Sequence, residues 1–276
     1  MHDEILDVDL LAFEQGDRSA RAAVVDGVMR SLQHGFVYTS HDMSEHLLDD
    51  AYGKLDEFFS LPADVKAAAE VPGSRSQRGY TGLLVETAAS ADVPDWKEML
   101  NWGGQLPQGH PLRSKYPHRY ADNVFPDDVV AGIGKTLLAF HTSVFELQRR
   151  FLRIIAVGIG CHEGFFDPIL GDGATLSRAI HYPAMELAPG ADHVWAGAHA
   201  DINLLTALPR ATAKCLQVAI EDRWVDAIPP SNHVIINTGI MLEHFTNGVI
   251  PSGSHRVVAD PAQTGDRYSC LLYTSD

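Results

Sequence analysis

Apolar residues recur at three- and four-residue steps in three segments before residue 170, a spacing that favours amphipathic helices. The first segment covers residues 18–34 and the second covers residues 44–59, where Ser44 is a residue type preferred as a helix N-cap. The third, residues 127–157, is the longest, although Gly132 and Gly134 weaken its start. The sequence therefore predicts a mostly helical region over residues 1–170.

After residue 170 the pattern changes to short β-prone runs that are separated by turn-forming residues such as Pro189-Gly190 and Asn247-Gly248. Many short strands at close spacing favour an antiparallel barrel or jelly roll. No long linker separates the two parts, so we expect one domain over residues 1–276. Its fold class would be α+β, with a jelly-roll core over residues 171–276. The predicted strands cover residues 176–182, 204–208, 216–220, 223–226, 233–237, 254–258 and 267–273.

Composition excludes several classes of protein. The 276 residues include 21 Lys and Arg against 36 Asp and Glu, a formal net charge of −15, which argues against nucleic acid or an anionic membrane as a partner. The longest apolar run has six residues, 154–159, far below the length of a membrane helix. Residues 1–7 are acidic, unlike a secretory signal, and three widely spaced cysteines do not suggest disulfides. We expect a cytoplasmic protein; its oligomeric state is not readable.

Candidate chemistry begins with His199-Ala200-Asp201 in the β-rich part. Residues two apart on a strand share a face, so these two side chains would present ligands to one side. His255, at the start of a later β-prone run, is a third candidate. Two histidines and one carboxylate form the facial triad with which non-haem Fe(II) leaves positions open for oxygen. Alone, the signal is weak, because a His-x-Asp triplet occurs by chance in many proteins.

A second pair of residues lies twelve positions after His255. Arg267 and Ser269 would share one strand face and offer a guanidinium fork beside a hydroxyl, which suits a bound carboxylate. An inward-facing arginine late in a β core is costly unless an anion meets it. The alternative is an edge-strand arginine that pairs with a surface acid.

Together these segments resemble the isopenicillin N synthase-like family of Fe(II)/2-oxoglutarate-dependent dioxygenases over nearly the whole chain. The resemblance implies a distorted double-stranded β-helix, or jelly roll, flanked by N-terminal and central α-helices. It rests on residues 35–38, 58–62 with Lys66, 78–80, 95–98, 181–183, 199–201, 205–206, 216–218, 224, 247–248, 255–258 and 267–269.

The resemblance also implies roles for particular residues. It implies that His199, Asp201 and His255 bind the iron and form the catalytic centre. It also implies that Arg267 and Ser269 bind the distal carboxylate of 2-oxoglutarate.

Near this site the chain both follows and departs from the family pattern. Tyr182 matches a tyrosine that often reaches the cosubstrate. Relatives commonly carry Asn where this chain has Ile180, and Tyr where it has His181, which we expect to face the other side of the strand.

The implied reaction consumes O2 and 2-oxoglutarate, releases succinate and CO2, and hydroxylates, desaturates or cyclises a small-molecule substrate. Two alternatives remain open: an Fe(II)/O2 oxidase of the same family that does not use 2-oxoglutarate, and a non-catalytic small-molecule-binding member. The substrate itself is not readable. Candidate substrate contacts, each of which could equally be a loop or packing residue, are Arg75, Arg78, Phe245 and Leu205, with Trp102 and Arg178 as further pocket linings.

Overall fold

A layer of helices packs on one face of a large β-sheet. The structure, a computed structural model, describes residues 5–87, 92–190, 192–259 and 265–274. Two short 3-10 helices, Leu32–His34 and Met185–Leu187, accompany the α-helices. The α-helices within the described ranges are α1 (Leu10–Gln15), α2 (Arg18–Ser31), α3 (Glu45–Phe59), α4 (Ala63–Ala67), α5 (Pro111–Lys115), α6 (Ile133–Gly158), α7 (Asp167–Leu170) and α8 (Ile240–Phe245).

The three predicted helices are present, and local capping decides where they begin. Ser44 caps α3, because its hydroxyl accepts a hydrogen bond from the Leu47 amide. The helix α6 begins at Ile133, six residues later than the sequence pattern predicts. Gly132 adopts a left-handed conformation there, with φ of 74°, and Asp127 is a loop residue that accepts a hydrogen bond from the Gly134 amide.

The strands form two sheets. The larger has the order β1-β2-β10-β7-β12-β5-β4-β3 and the smaller has the order β6-β11-β8-β9. All pairs are antiparallel except β1 with β2. The strands are β1 (Asp7–Val8), β2 (Phe36–Ser40), β3 (Gly79–Thr81), β4 (Glu98–Gly103), β5 (Leu176–Tyr182), β6 (Ala196–Ala200), β7 (Leu205–Ala211), β8 (Leu216–Ile220), β9 (Arg223–Asp226), β10 (His233–Thr238), β11 (Ser254–Val257) and β12 (Arg267–Tyr273).

This arrangement confirms the jelly-roll core with flanking helices. The strands of the core, however, do not all lie after residue 171, where the sequence pattern had predicted them. The larger sheet takes four of its eight strands, β1 to β4, from the part that was predicted to be mostly helical. Only the smaller sheet lies wholly after residue 171. The N-terminal part therefore supplies strands to the core as well as helices around it.

Two apolar clusters hold the layers together. One lies between the helices and the larger sheet, where Phe140 and Phe151 of α6 are fully buried together with Leu272 of β12. The other lies between the two sheets and includes Met99 of β4 and Val218 of β8. The functional cavity opens beside this second cluster. Within the described ranges, no helix is both long and apolar enough to cross a membrane.

Candidate metal centre and cosubstrate pocket

A cavity of about 500 Å³ lies between the two sheets. Both sheets contribute to its walls: His199 and His255 reach it from the smaller sheet, and Tyr182, Arg267 and Ser269 reach it from the larger one. The sequence-predicted metal and cosubstrate residues therefore face a single space.

Strand pairing brings the two histidines together. The strands β6 and β11 are antiparallel neighbours in which His255 lies directly opposite His199, and the centroids of the two imidazole rings are 4.3 Å apart. Asp201 follows immediately after β6, and its Oδ1 lies 3.9 Å from the Nε2 atom of each histidine. One ligand atom can be chosen from each of the three residues so that all three atoms lie within 4.8 Å of one another.

Hydrogen bonds fix which atoms of this triad face a metal. The Nδ1 atoms of His199 and His255 lie 2.8 Å and 3.3 Å from the carbonyl oxygens of Gly197 and Gly253. A carbonyl only accepts, so each Nδ1 carries the proton and each Nε2 keeps a free lone pair. Burial lowers the pKa of His255, although Asp201 acts to raise it, which favours the neutral imidazole that binds metals.

The carboxylate of Asp201 is held in a similar way. Its Oδ2 accepts hydrogen bonds from the Thr206 hydroxyl at 2.5 Å and the Asn237 amide at 2.8 Å. These two donors occupy one oxygen and leave Oδ1 directed at the histidines. Within the part of the chain that the structure describes, these three residues form the one group of His, Cys, Asp or Glu side chains whose ligand atoms lie close enough together to hold a metal ion. Two imidazole nitrogens and one carboxylate oxygen fit Fe(II), as the facial triad requires.

Arg267 supplies a buried positive charge in the same cavity. Its side chain is 1% exposed, and its Nε donates to the carbonyl oxygens of Ala213 and Lys214. Nη1 lies 3.3 Å from the Ser269 hydroxyl, and the guanidinium carbon lies 4.9 Å from the centre of the Tyr182 ring. Within the described ranges no carboxylate pairs with this arginine. A buried guanidinium with neutral partners is a fitting receptor for the carboxylate of 2-oxoglutarate.

Strand alternation sorts the neighbours of Tyr182. Ile180 and Tyr182 line the cavity, so an apolar side chain occupies the position where relatives were expected to carry Asn. His181 faces the opposite side of the sheet, where it stacks on Tyr268 with ring centroids 4.7 Å apart. Ile180 lies opposite Ser269 in the pairing of β5 with β12, so the site has one polar side chain fewer beside Ser269 than the family pattern predicts.

The expected substrate contacts are placed less favourably. Leu205 is fully buried in the cluster beneath the helices, and Phe245 packs on Phe165 and Phe166 outside the cavity. Arg75 lies on the surface and is not part of the cavity wall. None of these three residues is among those that line the cavity. Trp102, also expected there, instead donates to the Leu137 carbonyl beneath α6.

Arg78 does line the cavity, but backbone groups occupy its guanidinium. Its nitrogens donate to the carbonyl oxygens of Gln77, Arg119 and Ala121. Burial lowers the pKa of Arg78, with a smaller opposing effect of Asp122. Its position therefore supports the loops around the cavity.

The structure shows a polar wall of the cavity, formed by Glu86, Asp95, Lys97 and Arg178, of which the sequence had suggested Arg178 as a pocket lining. Oε2 of Glu86 lies 3.4 Å from Lys97 Nζ and 3.5 Å from Arg178 Nη1. Asp95 pairs with Lys97 at 2.9 Å and also accepts a hydrogen bond from the Gly197 amide on β6. Of this wall, only Asp95 and Lys97 lay in a segment that the resemblance had marked.

Similarity to known proteins agrees with this geometry. A family model described as "2OG-Fe(II) oxygenase superfamily" matches residues 174–274, and one described as "non-haem dioxygenase in morphine synthesis N-terminal" matches residues 5–128. Kihadalactone A synthase of Citrus sinensis is 30% identical over 258 residues, which are 88% of this chain and 73% of that protein. A 2-oxoglutarate-Fe(II) type oxidoreductase of Aspergillus fumigatus is 27% identical over 96% of this chain and 80% of that protein.

Solved structures give the same result. A full-length Neurospora crassa protein, solved in complex with alpha-KG, superposes with a TM-score of 0.83 at 27% identity, over 98% of this chain and 84% of that one. A 2OG-Fe(II) oxygenase family protein of Caulobacter crescentus has a TM-score of 0.84 at 31% identity, over 98% and 86%. The chain belongs to the 2OG-Fe(II) oxygenase superfamily. It is an Fe(II)- and 2-oxoglutarate-dependent dioxygenase, with O2 as cosubstrate.

Proposed function

We propose that this enzyme hydroxylates, desaturates or cyclises a small polar molecule in the cavity between its sheets. Fe(II) would bind to the triad of His199, Asp201 and His255, and 2-oxoglutarate would bind through Arg267 and Ser269. One observation carries the proposal: a metal-ligand triad and a buried arginine without a carboxylate partner in the described ranges face the same space.

When bound, Fe(II) and 2-oxoglutarate would supply oxygen activation, with succinate and CO2 as the products of the cosubstrate. The chain's own residues bind and orient. The two Nε2 atoms and Asp201 Oδ1 are preset toward one point by backbone carbonyls and by Thr206 and Asn237. Arg267 and Ser269 offer a charged and a neutral donor to one carboxylate, and the Tyr182 ring flanks the arginine.

The polar wall of Glu86, Asp95, Lys97 and Arg178 supports a polar substrate. Arg178 lies two positions from Ile180 on β5, so its head group is displaced from the cosubstrate end of the cavity. Its Nε is fixed by Asn101 and one Nη by the Ser76 carbonyl, so a substrate would meet a rigid donor. The Neurospora protein has been solved with thymine and with 5-formyluracil, and molecules of that size and polarity suit this wall.

Further parts of the proposal concern class and location. Within the superfamily we place the chain with the isopenicillin N synthase-like enzymes, on the motifs quoted above. A cytoplasmic location is supported by three free cysteines, of which Cys215 and Cys270 are buried and unpaired, as is usual in reducing compartments.

The decisive experiment is a substrate screen that reads succinate release. We expect some small polar compounds to raise succinate formation in the wild type and not in His199→Ala, whereas the surface variant His162→Ala should behave as the wild type. Equal substrate-stimulated succinate in His199→Ala would refute the site. Substrate oxidation that persists without 2-oxoglutarate would identify the oxidase alternative, and failure of anaerobic Fe(II) titration would favour a non-catalytic binding member.

A further inference from the structure

A buried histidine lies between two carboxylates on the sheet face opposite the cavity. Nδ1 of His181 is 2.7 Å from Oε1 of Glu98, and Nε2 is 2.8 Å from Oδ2 of Asp266. An ionised carboxylate can only accept hydrogen bonds, so both ring nitrogens must donate. An imidazole donates from both nitrogens only as the imidazolium ion. The geometry therefore describes a positively charged His181.

The surroundings favour that charge. Glu98 is 2% exposed, and its pKa lies below the ordinary value because hydrogen bonds from His181, Lys66 and Tyr80 outweigh the opposing effect of burial. Around the ring of His181 there are more carboxylates than positively charged side chains. The groups that face it, directly or through one partner, are Glu98 of β4, Lys66 of α4, Tyr80 of β3, Asp266 and Tyr268 at the start of β12, and Asp56 and Phe59 of α3.

Asp266 connects this cluster to the cosubstrate clamp. It directly precedes Arg267, which lies opposite Tyr182 in the β12–β5 pair. Oδ2 of Asp266 receives the hydrogen bond of His181, and Oδ1 receives that of the Ala184 amide at 2.9 Å. This one carboxylate therefore ties the residue before β12 to His181 in β5 and to Ala184 just after β5.

We propose that protonated His181 is a positioning residue for the 2-oxoglutarate clamp: it holds Asp266, and through it Arg267, so that affinity for 2-oxoglutarate falls when His181 loses its proton. The proposal rests on the assignment of Arg267 to 2-oxoglutarate made above. It concerns a residue of this chain that stands where the family pattern has tyrosine.

Affinity for 2-oxoglutarate falls on deprotonation because the hydrogen bond that is lost is the one from His181 to Asp266. Neutral imidazole keeps one N–H, and this stays with Glu98, since a buried carboxylate has no water to replace its donor. The Nε2 lone pair then faces Asp266, whose side chain is 41% exposed and can turn toward solvent. The tie to β12 is released when the ring loses the proton on Nε2.

The test measures 2-oxoglutarate binding by calorimetry on the Mn(II)-loaded protein without oxygen, from about pH 5.5 to 8.5. Relative to His181→Tyr, wild-type affinity should fall about three- to tenfold over this range, the worth of one ordinary hydrogen bond, because the partner Asp266 is partly exposed to solvent. Tyrosine can still stack on Tyr268 and reach Glu98, but it does not titrate here. In turnover assays, the KM for 2-oxoglutarate should change with pH while kcat at saturating 2-oxoglutarate does not.

Two further variants keep the test sharp. In Asp266→Asn the amide can donate to neutral His181 and still accept from Ala184, so binding should persist with a flattened pH profile. His233→Gln alters another histidine–aspartate contact, 2.9 Å long, with Asp7, and should keep the wild-type profile. Melting temperatures confirm that each variant is folded, and Asp266→Asn carries the test if His181→Tyr does not fold.

The outcomes separate two failures. Parallel pH profiles in the wild type, His181→Tyr and Asp266→Asn would overturn the role of His181 while leaving the clamp intact. Absence of 2-oxoglutarate binding to the Mn(II)-loaded wild type at every pH would instead overturn the proposed assignment of Arg267.

Discussion

Asp201 reaches the metal position through one oxygen because Thr206 and Asn237 occupy the other. In Thr206→Val this oxygen loses one donor and the carboxylate can rotate. We expect metal affinity to fall about 10- to 100-fold, as is typical when a partner of a metal ligand is removed. Anaerobic Fe(II) titration measures it. The matched variant Thr142→Val, on the exposed side of α6, should bind Fe(II) normally, and equal affinities in both variants would contradict the role of Thr206.

Arg267 offers a second test at a single side chain. Arg267→Gln keeps a hydrogen-bond donor near Ser269 but removes the buried charge, so 2-oxoglutarate should bind at least about 30-fold more weakly. The measurement is the KM or the dissociation constant for 2-oxoglutarate, and Fe(II) titration should still reach one ion per chain. Arg153→Gln, which breaks a half-exposed pair with Asp167, serves as the control. An unchanged affinity for 2-oxoglutarate in Arg267→Gln would be incompatible with the proposed clamp.

Short motifs mark part of the site in the sequence, and His255 could be added as a third candidate ligand, but Glu86, which the fold brings to the cavity from another segment, carried no signal. His199 and Asp201 form one short motif, and so do Arg267 and Ser269. Leu205 was expected to face the cavity, but the neighbouring Thr206 does so, because alternation shows that the two faces differ without saying which is inward.

Among the elements, β11 depends on a close approach that only glycine allows. A Cβ atom at Gly253 would lie 2.4 Å from a ring carbon of Phe36 and 2.6 Å from Asn237 Oδ1. In Gly253→Ala, β11 must shift, and with it His255 two residues later. We expect the free energy of unfolding to fall by about 1–3 kcal/mol, the usual effect of overpacking, together with weaker Fe(II) binding.

A control for this variant lies in α3. Gly53 is exposed, and a Cβ there would meet no atom within 4 Å, so Gly53→Ala should raise the free energy of unfolding by about 0.5–1 kcal/mol. Urea unfolding measures both variants. If Gly253→Ala were as stable as the wild type and bound Fe(II) equally well, the packing of β11 against Phe36 would not position His255.

The strands β2 and β4 show why the sequence could not reveal the whole sheet. All six residues of β4 are buried, since helices cover one face and the smaller sheet faces the other. A strand buried on both faces loses the alternation by which strands are recognised. Glu98 adds a misleading charge to β4, which is explained only by Lys66 and His181 from other elements.

In the whole molecule, a few buried polar links join the helical layer to the larger sheet. Gln148 of α6 donates to the carbonyl oxygens of Leu205 and Leu272, and Trp102 of β4 donates to Leu137 of α6. His141 of α6 contacts the hydroxyl groups of Thr175 and Ser177, each at 2.9 Å. Because such links lie away from solvent, they hold the layers in one register and respond strongly to changes of charge.

His141 makes the stability of the whole fold depend on pH. Burial, with a smaller effect of Arg78, lowers its pKa to about 4, whereas in the unfolded chain it titrates near about 6.5. Between these values the unfolded state binds the proton more tightly, so stability falls as the pH decreases from 6.5 toward 4. From about pH 7.5 to about pH 5, His141 should lower the free energy of unfolding by about 2 kcal/mol.

In His141→Gln the amide can form hydrogen bonds with the same hydroxyl groups but does not titrate. The free energy of unfolding, measured with urea, should therefore fall by about 2 kcal/mol less over this pH range than in the wild type. The exposed variant His162→Gln should keep the wild-type slope, and equal slopes in His141→Gln and the wild type would show that His141 is not protonated on unfolding.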